Sequence, residues 1–249
     1  MIGVILAGGK GTRLGNIAEG IPKPMVKCAG KPVLMYHIEL LKRYGIDRII
    51  LLLGYKSEVI REYLGDGSKL GLKIDYMEEL VPLGTAGAVS NAAPLINEPF
   101  VLLYGDVLAD VDLERFISFH NEKESLVTLA LHPNSHPYDS DLIEIDSDYN
   151  VIACHSKPHK PEYEYQNLVN AGVYVMSNKI LPFIPSGFND FGKDIFPLFL
   201  KNGVSMAGYQ TTEFIKDMGT PERLASVEKD VLSGKVGERN LSVLQKAVF

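Results

Sequence analysis

A glycine-rich segment near the start of the chain carries residue types that bind phosphate groups. Gly8, Gly9 and Gly11 follow a short apolar run, and Thr12 and Arg13 complete the segment. Glycine lets backbone N–H groups approach a ligand closely and allows positive φ. Successive N–H groups in such a turn form a concave anion-binding site. The segment is therefore predicted to bind a polyphosphate.

Basic side chains are concentrated around this segment. Between Met1 and Lys31 the sequence has one acid, Glu19, although the whole chain has a net charge of −6. The cations in this stretch are Lys10, Arg13, Lys23, Lys27 and Lys31. Local positive charge in an acidic protein indicates a site rather than a general polyanion surface. Lys10, Arg13 and Lys23 would add charge-assisted donors to phosphate oxygens.

Two other glycine motifs are excluded by their neighbouring residues. A Walker A loop needs Ser or Thr after its Gly-Lys pair, but Lys10 is followed by Gly11. A dinucleotide-binding fingerprint beginning at Gly9 needs a small residue at position 14, which is Leu14. A purely structural turn remains the alternative.

Two carboxylates are candidates to hold Mg²⁺, which takes one or two protein carboxylates together with phosphate oxygens. Asp106 comes just after the predicted strand Phe100–Tyr104, at the end of a strand where ligands bind in open α/β sheets. Asp217 precedes the predicted start of the last helix. The alternative for each is a helix-capping aspartate, the role that Asp110 and Asp112 fit better.

A further segment of small residues spans 82–88, with the sequence Pro-Leu-Gly-Thr-Ala-Gly-Ala. Small side chains at the start of a helix permit close approach of a flat or bulky group. Tight packing of the helix against a strand is the alternative.

Strand and helix patterns alternate through the first half of the chain. The predicted strands are Ile2–Ala7, Arg48–Leu53, Leu72–Met77 and Phe100–Tyr104. The predicted helices are Pro32–Tyr44, Ser57–Leu64, Ala86–Ala93 and Leu113–Glu122. This alternation predicts βαβ units, and hence an α/β fold with a Rossmann-like, mixed but mainly parallel sheet flanked by helices.

The second half has fewer helices between its strands. The predicted strands are Leu126–Leu131, Leu142–Ile145, Val151–Ala153 and Val169–Met176, and the predicted helices are Phe191–Leu200 and Pro221–Leu232. Thr220 is expected to cap the last helix, with Pro221 at its first position. We expect antiparallel additions to the sheet, which would hold a second substrate.

Composition excludes several classes of protein. The chain has 249 residues, of which 46% are hydrophobic and 22% charged, as in ordinary globular proteins. A pI near 5.6 argues against nucleic-acid binding. The apolar runs are too short to span a membrane. The two cysteines, Cys28 and Cys154, show neither zinc-site nor disulfide spacing. A cytoplasmic protein is expected.

In combination, these segments resemble the sugar-1-phosphate nucleotidyltransferases, also called nucleoside-diphosphate-sugar pyrophosphorylases. The matching motifs are Leu6–Leu14, Pro22–Pro24, Leu83–Gly87, Gly105-Asp106 and Asp217–Pro221. The resemblance implies an enzyme that transfers a nucleotidyl group from a nucleoside triphosphate to a sugar 1-phosphate, with Mg²⁺ as cofactor. The chain resembles the heptose-1-phosphate guanylyltransferases in particular, which implies GTP and D-glycero-D-manno-heptose 1-phosphate as substrates.

The resemblance also implies a role for individual residues. The implied nucleotide-binding residues are Leu6, Ala7, Gly8, Gly9, Gly11, Thr12, Arg13, Lys23, Gly84 and Thr85. Arg13, Lys23 and Asp106 would be catalytic, and Asp106 and Asp217 would hold the metal. The implied sugar-phosphate residues are Lys157, Asn170, Gly172 and Lys193, although Lys193 also fits an exposed lysine at a helix start. The family often has Glu where this chain has Ser156.

The end of the chain is expected to lie outside the transferase domain, predicted at 1–233. Residues 234–240 are rich in glycine and charge, as in a linker. Residues 241–249 resemble the first strand of a haloacid-dehalogenase-type phosphatase, which suggests the transferase half of a bifunctional transferase and phosphatase. This likeness is the sequence argument for a heptose, and an ordinary tail is the alternative.

Other functions remain open at this point. Mannose 1-phosphate with GTP, or glucose 1-phosphate with UTP, dTTP or CTP, would suit the same motifs. A non-catalytic subunit that binds nucleotide sugars is disfavoured, because Arg13, Lys23, Asp106 and Asp217 are all present. The sequence leaves a homo-oligomer open.

Overall fold

A nine-stranded mixed sheet forms the centre of the computed structural model, which describes residues 1–134, 137–160 and 162–236. Of the predicted linker and second-domain segment, residues 237–249 lie outside this range. The strands are β1 (Ile2–Leu6), β2 (Lys27–Cys28), β3 (Lys31–Pro32), β4 (Arg48–Leu53), β5 (Lys73–Glu78), β6 (Phe100–Tyr104), β7 (Val107–Asp110), β8 (Val127–His132), β9 (Leu142–Ile145), β10 (Val151–His155), β11 (Val169–Met176), β12 (Met206–Gln210) and β13 (Phe214–Asp217).

Six α-helices accompany the strands in the described part of the chain. They are α1 (Val33–Arg43), α2 (Ser57–Leu64), α3 (Gly84–Asn91), α4 (Leu113–Glu122), α5 (Phe196–Lys201) and α6 (Pro221–Leu232). A π-helical turn, Phe191–Ile195, leads into α5, and shorter 3₁₀ segments include Thr12–Ala18. None of the described helices combines the length and apolar character needed to cross a bilayer.

The first half of the chain builds a parallel part of the sheet, with strand order β6-β1-β4-β5. Successive residues of a strand face opposite sides of the sheet. Val4 and Leu102 therefore pack in one core with α3 and α5, while Ile5 and Leu103 pack in a second core with α1, α2 and α4. Burial on both sides explains why these strands are continuous apolar runs.

The second half adds antiparallel strands next to β6, as the sequence predicts. β11 runs antiparallel to β6, β8 and β9. β12 extends this part by pairing with β8 in the parallel direction. The predicted fold class, a mixed α/β sheet flanked by helices, is confirmed.

A small antiparallel sheet of β7 and β13 stands beside the main sheet and was not predicted. Asp217 pairs with Val107, and the Met218 N–H donates to the Asp106 carbonyl at 2.9 Å. Two segments more than 100 residues apart therefore meet at Asp106 and Asp217. Helix α6 packs behind them, because Leu224 belongs to the same buried cluster as Leu14 and Met218.

Candidate functional site

Two adjoining cavities open where the parallel strands end. The glycine-loop cavity, of about 690 Å³, lies between the segment after β1 and the start of α3. The polar cavity, of about 1320 Å³, lies between β13, the segment after β8 and residues 157–158. Four residues line both cavities: Arg13, Tyr104, Asp106 and Asp190. The two cavities therefore meet at Asp106.

The glycine-rich segment forms one wall of the glycine-loop cavity. Gly11 has a φ of +69°, and a Cβ there would lie 3.1 Å from Ala18 and 3.2 Å from Lys23. The Lys23 N–H donates to the Gly9 carbonyl at 3.1 Å, which ties the Pro-Lys-Pro segment to the loop. The lining residues from the predicted set are Leu6, Gly8, Gly9, Gly11, Thr12, Arg13, Lys23, Gly84 and Thr85. Ala7 is fully buried instead, and its N–H donates to the Leu52 carbonyl.

A short ion pair joins the two catalytic candidates. Lys23 Nζ lies 2.6 Å from Asp106 Oδ2, and their side chains are 11% and 31% exposed. Gly105 precedes Asp106, and a Cβ there would collide with the Leu6 carbonyl. The glycine thus lets β6 end close against β1, which brings Asp106 to the glycine-rich segment.

Asp217 is held at the start of α6. Its Oδ2 lies 2.6 Å from Arg223 Nη1, and its Oδ1 accepts the Gly219 N–H at 2.5 Å. The Thr220 hydroxyl accepts the Arg223 N–H at 3.3 Å, which confirms the predicted helix cap. A Cβ on Gly219 would lie 2.9 Å from Arg13 Nη2, so the Arg13 guanidinium lies beside this turn.

The donor set at Asp106 and Asp217 fits Mg²⁺. In the described part of the chain no three His, Cys, Asp or Glu side chains group as a complete metal site. Mg²⁺ does not need one, because it takes one or two carboxylates and completes its shell with phosphate oxygens and water. Asp106 Oδ1 accepts no hydrogen bond from any described residue and is available for such a role.

Thr85 uses its hydroxyl within the protein. It donates to Asp190 Oδ2 at 2.8 Å and accepts the Phe191 N–H at 2.9 Å. Gly84, with a φ of +71°, has no room for a Cβ, which would lie 2.5 Å from the Asn189 carbonyl oxygen. The small residues at the start of α3 therefore pack against the 187–191 turn, and Gly84 also lines the cavity.

A pair of tyrosines lies beside the junction of the two cavities: Tyr104 is partly buried and lines both cavities, and Tyr174 is fully buried behind it. Tyr104 and Tyr174 meet edge to face, with ring centroids 5.6 Å apart. Burial, reinforced by the charge of Asp190, raises the pKa of Tyr104, so it stays a neutral donor. The Tyr174 hydroxyl donates to Asn170 Oδ1 at 2.8 Å, and Gly172, with a φ of +70°, packs on the Tyr104 ring.

The predicted sugar-phosphate residues divide into two groups. Lys157, Asn170 and Gly172 all line the polar cavity, and Lys157 Nζ donates to the Asp139 carbonyl at 2.8 Å. Lys193 is exposed and is not among the residues that line either cavity. Its backbone N–H, rather than its side chain, makes a contact, at 3.2 Å from Asp190 Oδ1.

Five acidic residues that line the cavities were missed from the sequence: Glu79, Asp139, Asp141, Asp190 and Glu213. Burial, with the charge of Asp190 as a second cause, raises the pKa of Asp141. Gly192 has no room for a side chain because the Asp141 carboxylate lies against it. Asp190 caps the π-helical turn by accepting the Gly192 and Lys193 N–H groups. This cap could have been predicted from the sequence, because Asp190 directly precedes the predicted helix start at Phe191.

Comparison with known proteins identifies the family. The family model described as nucleotidyl transferase matches residues 2–234. This chain belongs to the nucleotidyl transferase family. The resemblance found in the sequence is therefore confirmed.

Two curated relatives and one solved structure illustrate the family's range. The chain is 36% identical over 234 residues to mannose-1-phosphate guanylyltransferase of Mycobacterium tuberculosis, covering 93% of the chain and 64% of that protein. It is 35% identical to D-glycero-alpha-D-manno-heptose 1-phosphate guanylyltransferase of Campylobacter jejuni, covering 89% of the chain and 96% of that protein. The crystal structure of HddC from Yersinia pseudotuberculosis complexed with GMP-PN matches with a TM-score of 0.78 at 31% identity, covering 93% and 100% of the two chains.

The chain spans only part of several longer relatives. It covers 64% of the Mycobacterium protein and 56% of UTP--glucose-1-phosphate uridylyltransferase of Synechocystis, to which it is 32% identical. These relatives are named for different sugars and bases.

Proposed function

We propose that this nucleotidyl transferase moves a guanylyl group from GTP to D-glycero-D-manno-heptose 1-phosphate and releases pyrophosphate. The observation that carries the proposal is the meeting of two cavities at Asp106, one lined by backbone amides and cations and the other by polar side chains. Such a junction suits a reaction in which two phosphate-bearing substrates meet.

The glycine-loop cavity supports a nucleoside triphosphate. Lys10, Arg13 and Lys23 line it together with Gly8, Gly9 and Gly11. Backbone N–H groups and cations are the donors that phosphate oxygens require. Arg13 also lines the polar cavity, so it can contact phosphates of both substrates.

The reaction is an in-line displacement at the α-phosphorus. A phosphate oxygen of the sugar 1-phosphate forms the new bond to the α-phosphorus, while the bond to the bridging oxygen breaks and pyrophosphate leaves with that electron pair. The attacking oxygen is already ionised, so no side chain has to remove a proton. Rate enhancement then depends on alignment and charge stabilisation, which Arg13 and Lys23 provide.

Asp106 and Asp217 are the residues proposed to hold Mg²⁺. When bound, the ion would supply positive charge to the phosphate oxygens. Lys23, whose Nζ lies 2.6 Å from Asp106 Oδ2, would place a second positive charge beside the same phosphate oxygens. Its backbone N–H is bonded to the Gly9 carbonyl, so the glycine-rich segment fixes its position.

The sugar is proposed from the relatives and from the polar cavity. The Campylobacter relative is named for a heptose 1-phosphate and guanylyl transfer, and the Yersinia structure is a complex with GMP-PN. Asn134, Asp141 and Asn170 line the polar cavity and suit a polyhydroxylated ligand, while Lys157 suits its phosphate. Mannose 1-phosphate is the second candidate, because the chain is 36% identical to the Mycobacterium relative and 35% identical to the Campylobacter relative.

The test is pyrophosphate release from the purified chain across a grid of GTP, UTP, dTTP, CTP and ATP against heptose, mannose and glucose 1-phosphates, with Mg²⁺. We expect the highest kcat/KM for GTP with the heptose. Higher kcat/KM with mannose 1-phosphate would reject the sugar assignment. No pyrophosphate from any pair would reject the transferase function.

A further inference from the structure

His37 is a fully buried histidine on α1 that contacts the strand following Asp106. Its side chain is 0% exposed, and its Nε2 lies 2.6 Å from the Val107 carbonyl oxygen. A carbonyl oxygen only accepts hydrogen bonds, so Nε2 is the donor. Burial lowers the pKa of His37, so the ring is neutral and carries a single N–H. That N–H is therefore committed to the backbone next to Asp106.

The other ring nitrogen of His37 is left without a contact. In the described part of the chain, Nδ1 has no hydrogen-bond partner. An unpaired polar atom in the interior lowers the free energy of unfolding, and an apolar side chain would avoid that cost. Packing of α1 against the core therefore does not account for a histidine at this position. What distinguishes His37 from a leucine is its hydrogen bond to Val107.

The Val107 carbonyl points away from the small sheet of β7 and β13. Successive residues of an antiparallel strand turn their backbone groups alternately toward and away from the partner strand. The Asp106 carbonyl accepts the Met218 N–H at 2.9 Å and so faces β13. The next carbonyl, that of Val107, faces α1 and meets His37. The backbone around Asp106 is thus held on both sides, by β13 on one and by His37 on the other.

Helix α1 also supports the lysine that pairs with Asp106. The Val33 N–H, at the start of α1, donates to the Val26 carbonyl at 3.0 Å, directly after the turn Lys23–Met25. The helix therefore lies behind both members of the ion pair. His37 is the side chain through which it bonds to the strand that follows Asp106.

We propose that His37 is a positioning residue that holds Asp106 at the junction of the two cavities. The inference rests on the proposed function, because it concerns the carboxylate at which the two substrates would meet. His37 itself lines neither cavity. A misplacement of about 1 Å in an aligning group can lower a rate roughly 100-fold. Loss of the His37 hydrogen bond should therefore lower kcat without removing a group that binds substrate.

The test compares His37→Leu with His37→Gln and His120→Leu in the full chain. Leucine removes the donor, whereas the glutamine amide places an N–H near the position of Nε2. His120 is the matched control, because it is also buried, bonds Thr128 Oγ1 at 2.7 Å and lines neither cavity. The measurements are kcat and both KM values from pyrophosphate release, the midpoint of urea denaturation, and hydrogen exchange of β7 and β13 by mass spectrometry.

We expect His37→Leu to lower kcat roughly 10- to 100-fold, with KM for GTP and for the sugar 1-phosphate changed by less than about threefold. Hydrogen exchange in β7 and β13 should become faster, and His37→Gln should restore most of kcat and of the protection. His120→Leu should lower the urea midpoint but leave kcat within about twofold and the exchange of β7 and β13 unchanged. This split between kcat and stability separates positioning from a general loss of stability.

A wild-type kcat in His37→Leu, or an equal fall of kcat in His120→Leu, overturns the inference and leaves the transferase function standing. If His37→Leu does not fold, His37→Gln and His37→Asn decide, because the shorter asparagine amide does not reach the Val107 carbonyl. Equal kcat of those two variants overturns the inference. A wild type that releases no pyrophosphate rejects the proposed function. Hydrogen exchange then decides the inference: faster exchange of β7 in His37→Leu supports it, and unchanged exchange overturns it.

Discussion

The glycine-loop cavity and the polar cavity share four lining residues but carry different charge. Three cations and three acids line the glycine-loop cavity: Lys10, Arg13 and Lys23, against Glu79, Asp106 and Asp190. Six acids and four cations line the polar cavity: Asp106, Asp139, Asp141, Asp190, Glu213 and Asp217, against Arg13, Lys157, Lys216 and Arg223. The difference matches a polyphosphate on one side and a polyhydroxylated ligand on the other.

The two cavities also differ in how they are built. Adjacent parallel strand ends form the glycine-loop cavity, so neighbouring residues of one short segment supply most of its donors. The polar cavity combines antiparallel strands, the β7–β13 sheet and the start of α6. Asp106 lies at their junction, so a change there should affect chemistry more than the binding of either substrate.

Replacement of Asp106 by Asn should give the largest effect. The amide removes the charge that pairs with Lys23 and a proposed metal ligand, so kcat should fall by roughly 10³-fold or more. Circular dichroism should be unchanged, since no described backbone N–H bonds to the side chain. Asp75→Asn is the control, because Asp75 on β5 pairs with Arg48 on β4 and lines neither cavity. Near-normal turnover of Asp106→Asn would exclude Asp106 from the reaction.

Replacement of Asp141 by Asn should affect the polar cavity alone. Loss of a charged acceptor should raise KM for the sugar 1-phosphate about 10- to 100-fold and leave KM for GTP unchanged. Asp148→Asn is the control. Asp148 is exposed and lies just after β9, whereas Asp141 lies just before β9 and lines the polar cavity. An equal rise in KM for GTP and for the sugar 1-phosphate would show that Asp141 does not act on the sugar 1-phosphate alone.

The Asp141→Asn variant also tests how the free energy of unfolding depends on pH. Folding raises the pKa of Asp141 above its usual 3.8, so the folded state retains its proton to higher pH than the unfolded state. The contribution of Asp141 to the free energy of unfolding should therefore fall as pH rises from about 4 through the raised pKa. Asp141→Asn lacks this slope, so urea denaturation should find it relatively more stable at neutral pH than at pH 3. A difference in the free energy of unfolding between wild type and Asp141→Asn that does not change with pH would contradict a raised pKa of Asp141.

Much of the parallel half could be predicted from local patterns. Strands Arg48–Leu53 and Phe100–Tyr104 and helices Ser57–Leu64 and Leu113–Glu122 have the predicted bounds. Strands buried on both sides are uninterrupted apolar runs, and the helices between them keep one apolar face. Pro221–Leu232 was equally well defined by its threonine cap and proline.

The remaining features depend on contacts between distant segments. Val107–Asp110 is only four residues long and follows another strand closely, so its pairing with Phe214–Asp217 leaves no local signal. Phe191–Leu200 was predicted as one helix, whereas it begins as a π-helical turn that Asp190 caps. The hydrogen bond from Thr85 to Asp190 crosses 105 positions of sequence and appears only once the chain is folded.

Replacement of Thr85 by Val should show whether the hydrogen bond between Thr85 and Asp190 affects the binding of both substrates. Valine keeps the shape but leaves Asp190 and the Phe191 N–H without the hydroxyl, which should lower the free energy of unfolding by about 1–3 kcal/mol. Both KM values should rise, because Asp190 lines both cavities. Thr85→Ser keeps the hydroxyl and should behave like the wild type in urea denaturation and in kinetics. A change in the GTP KM alone would assign Thr85 to the base instead.

Replacement of Lys193 by Ala should have the smallest effect. The Lys193 side chain is exposed and lines neither cavity, while its backbone contact with Asp190 survives the substitution. Activity and stability should therefore change by less than about 0.5 kcal/mol, or roughly twofold. Lys157→Met is the matched comparison, because Lys157 lines the polar cavity and should show a larger rise in the sugar 1-phosphate KM. An equal rise in the sugar 1-phosphate KM for Lys193→Ala and Lys157→Met would mean that the phosphate of the sugar reaches the π-helical turn. The polar cavity would then extend past Gly192.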